Sequence, residues 1–547
     1  MADDTIRHLS MSRRRFMQLG ASMLALPLVY EATPGTAGAA VGALSASANR
    51  SAILNFGEMQ GQNYDPIVHA DTEFFPMYAI FDTLVSYKSN GTLIPRLATS
   101  WQATSSRVRM SLRQGVTFQD ATPMDAAAVA FSLNRVISDP SSTIKSEVPM
   151  LGSVEVVDSQ TIDLMLTQDA ALSLLFQLGG QAGMIVSPTA VKKAGSSAAF
   201  SQAPVGAGPY ALHGPWYPAE KMSVRAWSGY WDKSAQTLGG IDFVNVLETA
   251  RVNALRSGSM DVCTGLVGSD VEALKGDSSI KVSVGPGDFI YGLNLNVTIA
   301  PLNNLKVRQA IAHAINRPEV NQALANGLGT PAFQYATVDS PAYEASLNSL
   351  YPYDPAKAKK LLKEAGHANG ISFASVIGGS DVSYVQFGEL IQSQLKEVGI
   401  DMQLQQVQPA TAVGDIWGLG ETGHGTVASA PIGGGLTSPA TTDTVVRGTA
   451  LSTGAQNAGG VEVPGVRALL TQADAALTSA EAAVFYKKIN RIITEGVYVM
   501  VPVYAGPAIT GYQNYVGGKP MPEFDVPLTP DFLRGLYVTK GKKPVSS

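Results

Sequence analysis

The hydrophobic positions of this chain follow two spacings, which together predict short strands interleaved with amphipathic helices. Residues 153–157 and 161–166 alternate between apolar and polar side chains on either side of Asp158, a pattern typical of a β-hairpin. Residues 289–295 alternate in the same way and predict a half-buried strand. Further strands are predicted at 53–56, 108–112 and 499–504. Pro502 indicates an edge or crossover position for the last of these, because proline lacks the N–H that a central strand donates.

Helices are predicted where apolar residues recur every three or four positions behind a capping residue. This spacing is found in residues 307–315, 355–365 and 384–398. Asn304 is a good N-cap for the first helix, and Pro355 suits the first position of the second. Thr478 and Glu481 form a capping box for a helix that runs to about residue 496. Because strands and helices alternate along the chain, we expect an α/β or α+β fold, with α/β preferred.

Residues 414–460 break this pattern and are rich in glycine, alanine, serine and threonine. The stretch predicts a long loop, and it contains Trp417 and His424. Two interpretations remain open: a functional segment that contacts a ligand, or a surface insertion without a role.

Composition excludes several classes of protein. The 547 residues are 45% hydrophobic and 15% charged, which rules out global disorder. At about 100–200 residues per domain, this length predicts two to four folding units. The net charge of −5 gives no electrostatic basis for binding nucleic acid, so we expect no nucleic-acid partner.

The N-terminus has the three regions of an export signal. Arginines at 13–15 precede a short, weakly apolar run, and Ala37-Gly38-Ala39 follows as a cleavage site. The arginine pair before Phe16 resembles a twin-arginine signal. We therefore expect residues 1–39 to be a signal peptide cleaved near Ala39, and the mature protein to be soluble and periplasmic. A membrane anchor or a basic tail is the alternative, and the sequence does not say whether Met1 or Met11 is the true start.

The sequence offers little catalytic chemistry. It contains no H-E-x-x-H, G-x-S-x-G or Walker A motif, and its six histidines are dispersed. We therefore expect no catalytic residue, no cofactor and no metal site. Cys263 is the single cysteine, and its apolar neighbours predict that it is buried and inert.

Several phrases, taken in order, resemble the large solute-binding proteins of family 5, the peptide/nickel class that serves ABC importers. The matching segments are 64–66 (YDP), 81–85 (FDTLV), 95–101 (PRLATSW), 112–118 (LRQGVTF), 204–210 (PVGAGPY), 307–317 (VRQAIAHAINR) and 354–366 (DPAKAKKLLKEAG). Each phrase is weak alone, but their order and spacing are specific.

The resemblance implies a two-lobed periplasmic binding protein fold of type II, in the large peptide-binding subclass, with a hinge and an extra subdomain. The first lobe would cover 48–288, with the subdomain at about 90–200. The second lobe would cover 289–504, and residues 505–547 would return to the first lobe. Hinge closure about the two chain crossings would then enclose a ligand.

The resemblance also implies a function. The chain would be a monomer that captures a small-molecule ligand, peptide-like or otherwise, and passes it to an ABC permease and ATPase. Two rivals stay open: an extracytoplasmic binding module for sensing or chaperoning, and a secreted hydrolase. A converging nucleophile and base in the cleft would favour the hydrolase.

Candidate ligand-binding residues follow from the same resemblance. They are Asn63, Tyr64, Trp417, His424, Gly433, Gly434, Gly435 and Tyr504. Peptide-binding members carry a G-W-x-x-D loop whose aspartate holds the α-ammonium group of a peptide. The corresponding stretch here, residues 429–439, has neither tryptophan nor an acidic residue. We therefore expect free dipeptides and tripeptides to be poor ligands, unless Glu421 or Asp443 replaces the missing anchor.

Overall fold

The computed structural model describes residues 28–31, 49–58, 61, 63–68, 74–88, 91–217, 220–378, 382–417, 425–436, 439–454, 456–476, 478–518, 533 and 536–539. Its strands are β1 Leu28–Glu31, β2 Ile53–Glu58, β3 Val85–Tyr87, β4 Leu93–Pro95, β5 Ala98–Ala103, β6 Arg107–Leu112, β7 Leu151–Asp158, β8 Thr161–Leu166, β9 Tyr210–Leu212, β10 Lys221–Ala226, β11 Gly240–Asn245, β12 Val262–Cys263, β13 Ile280–Leu295, β14 Thr330–Pro331, β15 Ile371–Gly378, β16 Ile400–Val407, β17 Ser429–Gly434, β18 Met500–Gln513, β19 Val516–Gly517 and β20 Tyr537–Val538.

Helices occur between most of these strands. They are α1 Phe74–Ile80, α2 Ala126–Ser138, α3 Ala171–Gln177, α4 Pro188–Ala194, α5 Ser197–Gln202, α6 Arg251–Arg256, α7 Gly268–Leu274, α8 Leu305–Ala314, α9 Arg317–Ala325, α10 Pro355–Glu364, α11 Val382–Glu397, α12 Pro409–Trp417, α13 Pro439–Ala450, α14 Val466–Asp474 and α15 Ser479–Gly496. The fold is α/β, as the alternating pattern predicts.

An antiparallel sheet in the order β1-β5-β6-β8-β7 forms the subdomain. Its β7–β8 hairpin confirms the pairing predicted from the alternation around Asp158. Helix α2 packs on this sheet and is capped by Asp125, whose carboxylate accepts a hydrogen bond from the backbone N–H of Ala128. The apolar faces of the sheet, α2 and α3 bury one continuous core that includes Trp101 and Phe118.

Strand β1 lies inside the predicted signal peptide. It pairs antiparallel with β5, with Leu28 opposite Ala103 and Glu31 opposite Ser100. The rest of residues 1–39 lies outside the described residues. If the chain is cleaved near Ala39, β5 becomes an edge strand of the subdomain sheet.

A larger sheet, in the order β16-β15-β17-β13-β18-β12-β2-β11-β10-β9, links the two lobes. The strands from β12 to β9 belong to the half near the N-terminus, and those from β16 to β17 belong to the other half. Among the described strands, only β13 and β18 are long enough to run through both halves. They pair with each other from Ile280 opposite Gln513 to Asn294 opposite Met500. These two strands are therefore the structural connection between the lobes within the sheet.

In the second lobe, helices cover both faces of the sheet. Helices α8 and α11 pack on one face with Leu293, and α13, α14 and α15 pack on the other with Ile290. The capping box of α15 is confirmed, since Thr478 Oγ1 accepts from the N–H of Glu481 and the Glu481 side chain accepts from the N–H of Thr478. Asn304 caps α8 as expected.

One expectation about this half is wrong. Residues 414–460 are not one long loop, because they contain β17, whose backbone pairs with β13, and the helix α13. Of the two positions that Pro502 indicates, β18 takes the crossover and not the edge, since it lies between β13 and β12 and runs through both halves. Pro502 is tolerated there because it stands beside a register shift that leaves Val503 out of the pairing.

The C-terminal segment packs on the first lobe. Strands β19 and β20 pair with each other, and the N–H of Asn49 donates to the carbonyl of Val538 at 2.7 Å. Val516 and Val538 are buried in the same core as Phe56 of β2.

The interlobe cleft as the candidate binding site

The register of the hinge strands shifts at a second place besides the one at Pro502. Between Pro286 and Ile290 the register of β13 against β18 shifts, and Pro286 faces Pro507. Neither proline has a backbone N–H, so each of the two strands lacks a donor here for the hydrogen bonds that join β13 to β18. A Cβ atom on Gly287 would lie 1.6 Å from the carbonyl oxygen of Gly506, so only glycine fits at that position. Fewer backbone hydrogen bonds therefore hold the two hinge strands together in this stretch.

Tyr504 lies beside the hinge, in the core of the second lobe. Its ring stacks on Tyr291 with centroids 4.8 Å apart and planes 5° apart, and it is only 4% exposed. Phe289 and Tyr384 extend this aromatic group, with Phe289 37% exposed. Tyr504 therefore supports the hinge by packing, whereas Phe289 presents a ring to solvent.

The three candidate glycines lie at the end of β17, beside the hinge. Gly433 faces the ring of Phe289, which comes within 1.7 Å of the place a Cβ would occupy. Gly435 has φ of +125°, a conformation that favours glycine. Gly434 is different, because the nearest atom to its missing Cβ is the Tyr335 hydroxyl oxygen at 3.7 Å. Burial raises the pKa of Tyr335 to about 12, so this hydroxyl stays protonated.

Asn63 and Tyr64 lie in the first lobe. Tyr64 is fully buried and packs edge-on against Trp216, with ring centroids 4.8 Å apart. The Asn63 side-chain oxygen accepts a hydrogen bond from the N–H of Asp65 at 2.8 Å. Asp65 in turn forms a buried bidentate ion pair with Arg135 of α2, at 3.1 and 2.7 Å. In the described contacts, Asn63, Tyr64 and Asp65 connect the subdomain to the rest of the first lobe. They do not contact the β17 glycines.

Two candidates cannot be placed as side chains. Trp417 is the last residue of α12, and its side chain lies outside the described residues, as does the whole of His424. The structure therefore brings together Gly433, Gly434, Gly435 and Tyr504 at the hinge, with Asn63 and Tyr64 elsewhere.

A group of residues joins the lobes away from the hinge, and of these the sequence suggested only Asp443, as a possible ligand anchor. The Ser173 hydroxyl of α3 donates to Asp443 Oδ2 of α13 at 2.9 Å, and Gln177 Nε2 donates to Thr444 Oγ1 at 2.7 Å. The Ser479 hydroxyl of α15 also donates to the carbonyl of Gly91 at 3.2 Å. No local signal could have found these pairs, because 270 positions separate Ser173 from Asp443.

Asp443 belongs to a buried charge group. Arg447 bonds Asp443 at 2.8 Å and both oxygens of Asp474 at 2.7 Å. Burial and the neighbouring charge of Asp443 raise the pKa of Asp474 to about 6, despite Arg447. Asp474 also lines a cavity of about 300 Å³ between the lobes, together with Asp169 and Leu172.

Other chemistry is sparse in the described part of the chain. No group of three or more His, Cys, Asp or Glu side chains there could hold a metal ion. No helix there is long and apolar enough to cross a membrane. Cys263 is fully buried, as predicted, and burial raises its pKa to about 12.

Solved structures show the same fold. The PBP AgaA from A. tumefacien R10 in complex with agropinic acid has a TM-score of 0.76 at 22% identity, over 90% of this chain and 99% of that one. DppA from Helicobacter pylori in complex with peptide STSA has a TM-score of 0.77 at 24% identity, over 91% and 100%. NikZ from Campylobacter jejuni in complex with Ni(L-His) has a TM-score of 0.73 at 20% identity, over 89% and 99%. These likenesses confirm the two-lobed type II fold.

Curated relatives include the glutathione-binding protein GsiB from Escherichia coli (strain K12) and from Shigella flexneri. Each is 31% identical over 319 residues, which is 58% of this chain and 61% of the relative. The alignment thus spans about three fifths of the relatives' length.

The family model described as "Bacterial extracellular solute-binding proteins, family 5 Middle" matches residues 92–439, well over half of the 547 residues. That match confirms the resemblance read from the ordered phrases. The chain belongs to the family 5 bacterial extracellular solute-binding proteins.

Proposed function

We propose that this chain is the substrate-binding component of an ABC importer. It captures a small organic solute between its lobes and delivers it to a membrane permease and ATPase. The observation that carries the proposal is the pair of hinge strands, which join two lobes and are irregular between Pro286 and Ile290. A few irregular crossing residues are enough to allow hinge closure around a ligand. The protein acts as a monomer in the periplasm, after export directed by residues 1–39.

The proposal also assigns the protein no catalytic step. A carrier must release its cargo unchanged, and the matched relatives are named as binding proteins. The described end of β17 offers Gly433, Gly434 and Gly435, which can hold a ligand through backbone groups but cannot act as nucleophile or base.

Family membership does not select the cargo. One of the relatives above is named for glutathione, and the three solved structures are complexes with agropinic acid, a peptide and a nickel–histidine complex. A buried ammonium group needs a carboxylate partner, since an unpaired buried charge costs several kcal/mol. Asp443 is a poor candidate for this role, because it is buried at the contact between α3 and α13, where Arg447 and Ser173 both bind its Oδ2. Glu421 lies outside the described residues. We therefore propose a neutral or anionic cargo.

Calorimetric titration with a panel of dipeptides and tripeptides tests this choice. Free peptides are expected to bind weakly or not at all, because the glycines at 433–435 supply no carboxylate for an α-ammonium group. The N-acetylated form of each peptide is the matched control, and it is expected to bind no worse than the free form. Micromolar binding that weakens sharply on N-acetylation would contradict the proposal for the cargo while leaving the solute-binding role intact.

A further inference from the structure

The contact between α3 of the subdomain and α13 of the second lobe lies away from the hinge. It is made by side chains, Ser173 with Asp443 and Gln177 with Thr444, and it is polar on both sides. Because the two lobes meet here, any change that strengthens or weakens this contact changes the balance between closed and open arrangements.

Negative charge is in excess at this contact. Asp443 and Asp474 share the guanidinium of Arg447, and Asp169, just before α3, lines the same cavity as Asp474. Two carboxylates therefore share one cation, and a third carboxylate lies on the cavity beside them. Tyr486 of α15 adds a phenol, whose pKa burial raises well above its usual value, so it stays neutral and neither adds to the excess nor compensates it.

A further cation that interacts with Arg447, Arg467, does not correct the excess. Arg467, at the start of α14, is exposed and forms a bidentate ion pair with Glu462 at 2.7 and 2.8 Å. In addition, Asp443 Oδ1 is buried and has no hydrogen-bond partner among the described residues. A buried carboxylate oxygen without a donor is unfavourable, so the excess of negative charge at this contact is not fully compensated by hydrogen bonds.

We propose that the α3–α13 contact is a proton-dependent latch, in which one proton held by the Asp443–Arg447–Asp474 group stabilises the closed arrangement of the lobes. The inference rests on the proposed function, because a closed lobe arrangement is what retains cargo. Apparent affinity for cargo falls with the fraction of protein that can close, so the latch adjusts affinity from outside the cleft.

The sign of the effect follows from what closure brings together. Asp169, Leu172 and Leu175 belong to the first-lobe side of the cavity, and Asp474 belongs to the other side. Closure removes water from Asp474 and brings the charge of Asp169 near it, and both changes raise the pKa of Asp474. On opening, the charge of Asp169 and the exclusion of water by the first lobe are lost while the charge of Asp443 stays, so this pKa falls part of the way toward its ordinary value. The closed form thus binds the proton more tightly, and by linkage acid favours closure.

Distance measurement between spin labels tests the latch without any cargo. Labels are placed on Val156→Cys in the subdomain and Val484→Cys in α15, both exposed, while buried Cys263 stays unlabelled. Each unit of pKa difference between the two arrangements allows up to about a tenfold change in the closed-to-open ratio. We expect the ratio to rise about threefold or more from about pH 7.5 to about pH 5.

Variants separate the latch from a merely structural contact. Asp474→Asn mimics the protonated form, so its ratio at about pH 7.5 should equal that of the wild type at about pH 5, with no further pH response. Asp169→Asn changes an exposed residue, so this variant is expected to fold normally. The midpoint of its pH response should move to lower pH. Ser173→Ala should lower the ratio at both pH values. Asp277→Asn, on the surface of the first lobe, is the control and should change nothing.

A wild-type ratio that does not change with pH, or that falls in acid, would overturn the latch. So would an unchanged midpoint in Asp169→Asn, or a retained pH response in a folded Asp474→Asn. Since no cargo is present, these results leave the solute-binding role untouched. Failure to bind any solute, with the pH response intact, would instead count against the proposed function alone.

Discussion

At the scale of single residues, Arg317 shows how a buried cation can organise a fold without a carboxylate. Its Nε donates to the carbonyls of Ala332 and Pro502 at 2.8 and 2.9 Å, and its Nη1 donates to the carbonyl of Ala312 at 3.0 Å. The side chain is fully buried, and this burial lowers its pKa to about 9. One guanidinium thus ties the end of α8 to hinge strand β18.

Replacing Arg317 by lysine tests this role. Arg317→Lys keeps the positive charge but replaces the planar guanidinium group by an ammonium group. Several buried backbone carbonyls then lose the N–H group that donates to them. We expect the free energy of unfolding to fall by about 2–4 kcal/mol, measured by urea denaturation. Arg467→Lys is the matched control, because Arg467 forms an exposed ion pair worth at most about 1 kcal/mol. Similar losses in the two variants would show that the buried carbonyl contacts contribute little.

At the scale of elements, the end of β17 combines two different demands on glycine. Gly435 has a positive φ, and a Cβ there would come within 2.8 Å of Ile290. Gly434, its neighbour, has neither restriction. These two neighbouring glycines therefore differ: one position requires glycine, and the other has room for a side chain.

Alanine at each position gives different expected outcomes. Gly435→Ala should lower the free energy of unfolding by about 1–3 kcal/mol, because alanine is strained at this φ and crowds Ile290. Gly434→Ala should change the unfolding free energy by less than about 0.5 kcal/mol. Thermal and urea unfolding measure both. Equal destabilisation by the two variants would show that the turn after β17 differs from this description.

The sequence predicts the helices of this fold better than its sheet, for a physical reason. Caps are local, so Asn304 and the Thr478–Glu481 box could be read directly and are confirmed. Strand β17 has no such signal, because its Ala-Pro-Ile-Gly-Gly sequence becomes a strand only through pairing with β13. The Ser173–Asp443 contact is non-local in the same sense. Family resemblance therefore predicts part of the candidate site, whereas the pairing of residues across the lobes is visible only in the structure.

At the scale of the whole molecule, the N-terminus is proposed to direct export of the chain before it captures cargo. Residues 12–17 read Ser-Arg-Arg-Arg-Phe-Met and resemble a twin-arginine signal. Replacing Arg13 and Arg14 together by lysine should leave folded precursor in the cytoplasm, as measured by cell fractionation and immunoblotting. Arg7→Lys is the control and should be exported normally. Continued export of the double variant, with cleavage near Ala39, would show that another pathway is used.

Closure of two lobes on a small solute is the central claim for the whole molecule, and native mass spectrometry tests it most directly. The purified protein is incubated with the small-molecule filtrate of spent growth medium and sprayed under gentle conditions. We predict one adduct of a few hundred daltons, on the order of a small peptide or sugar derivative, bound one-to-one and lost on unfolding. A protein that shows only its own mass, with filtrates from varied media, would contradict the claim.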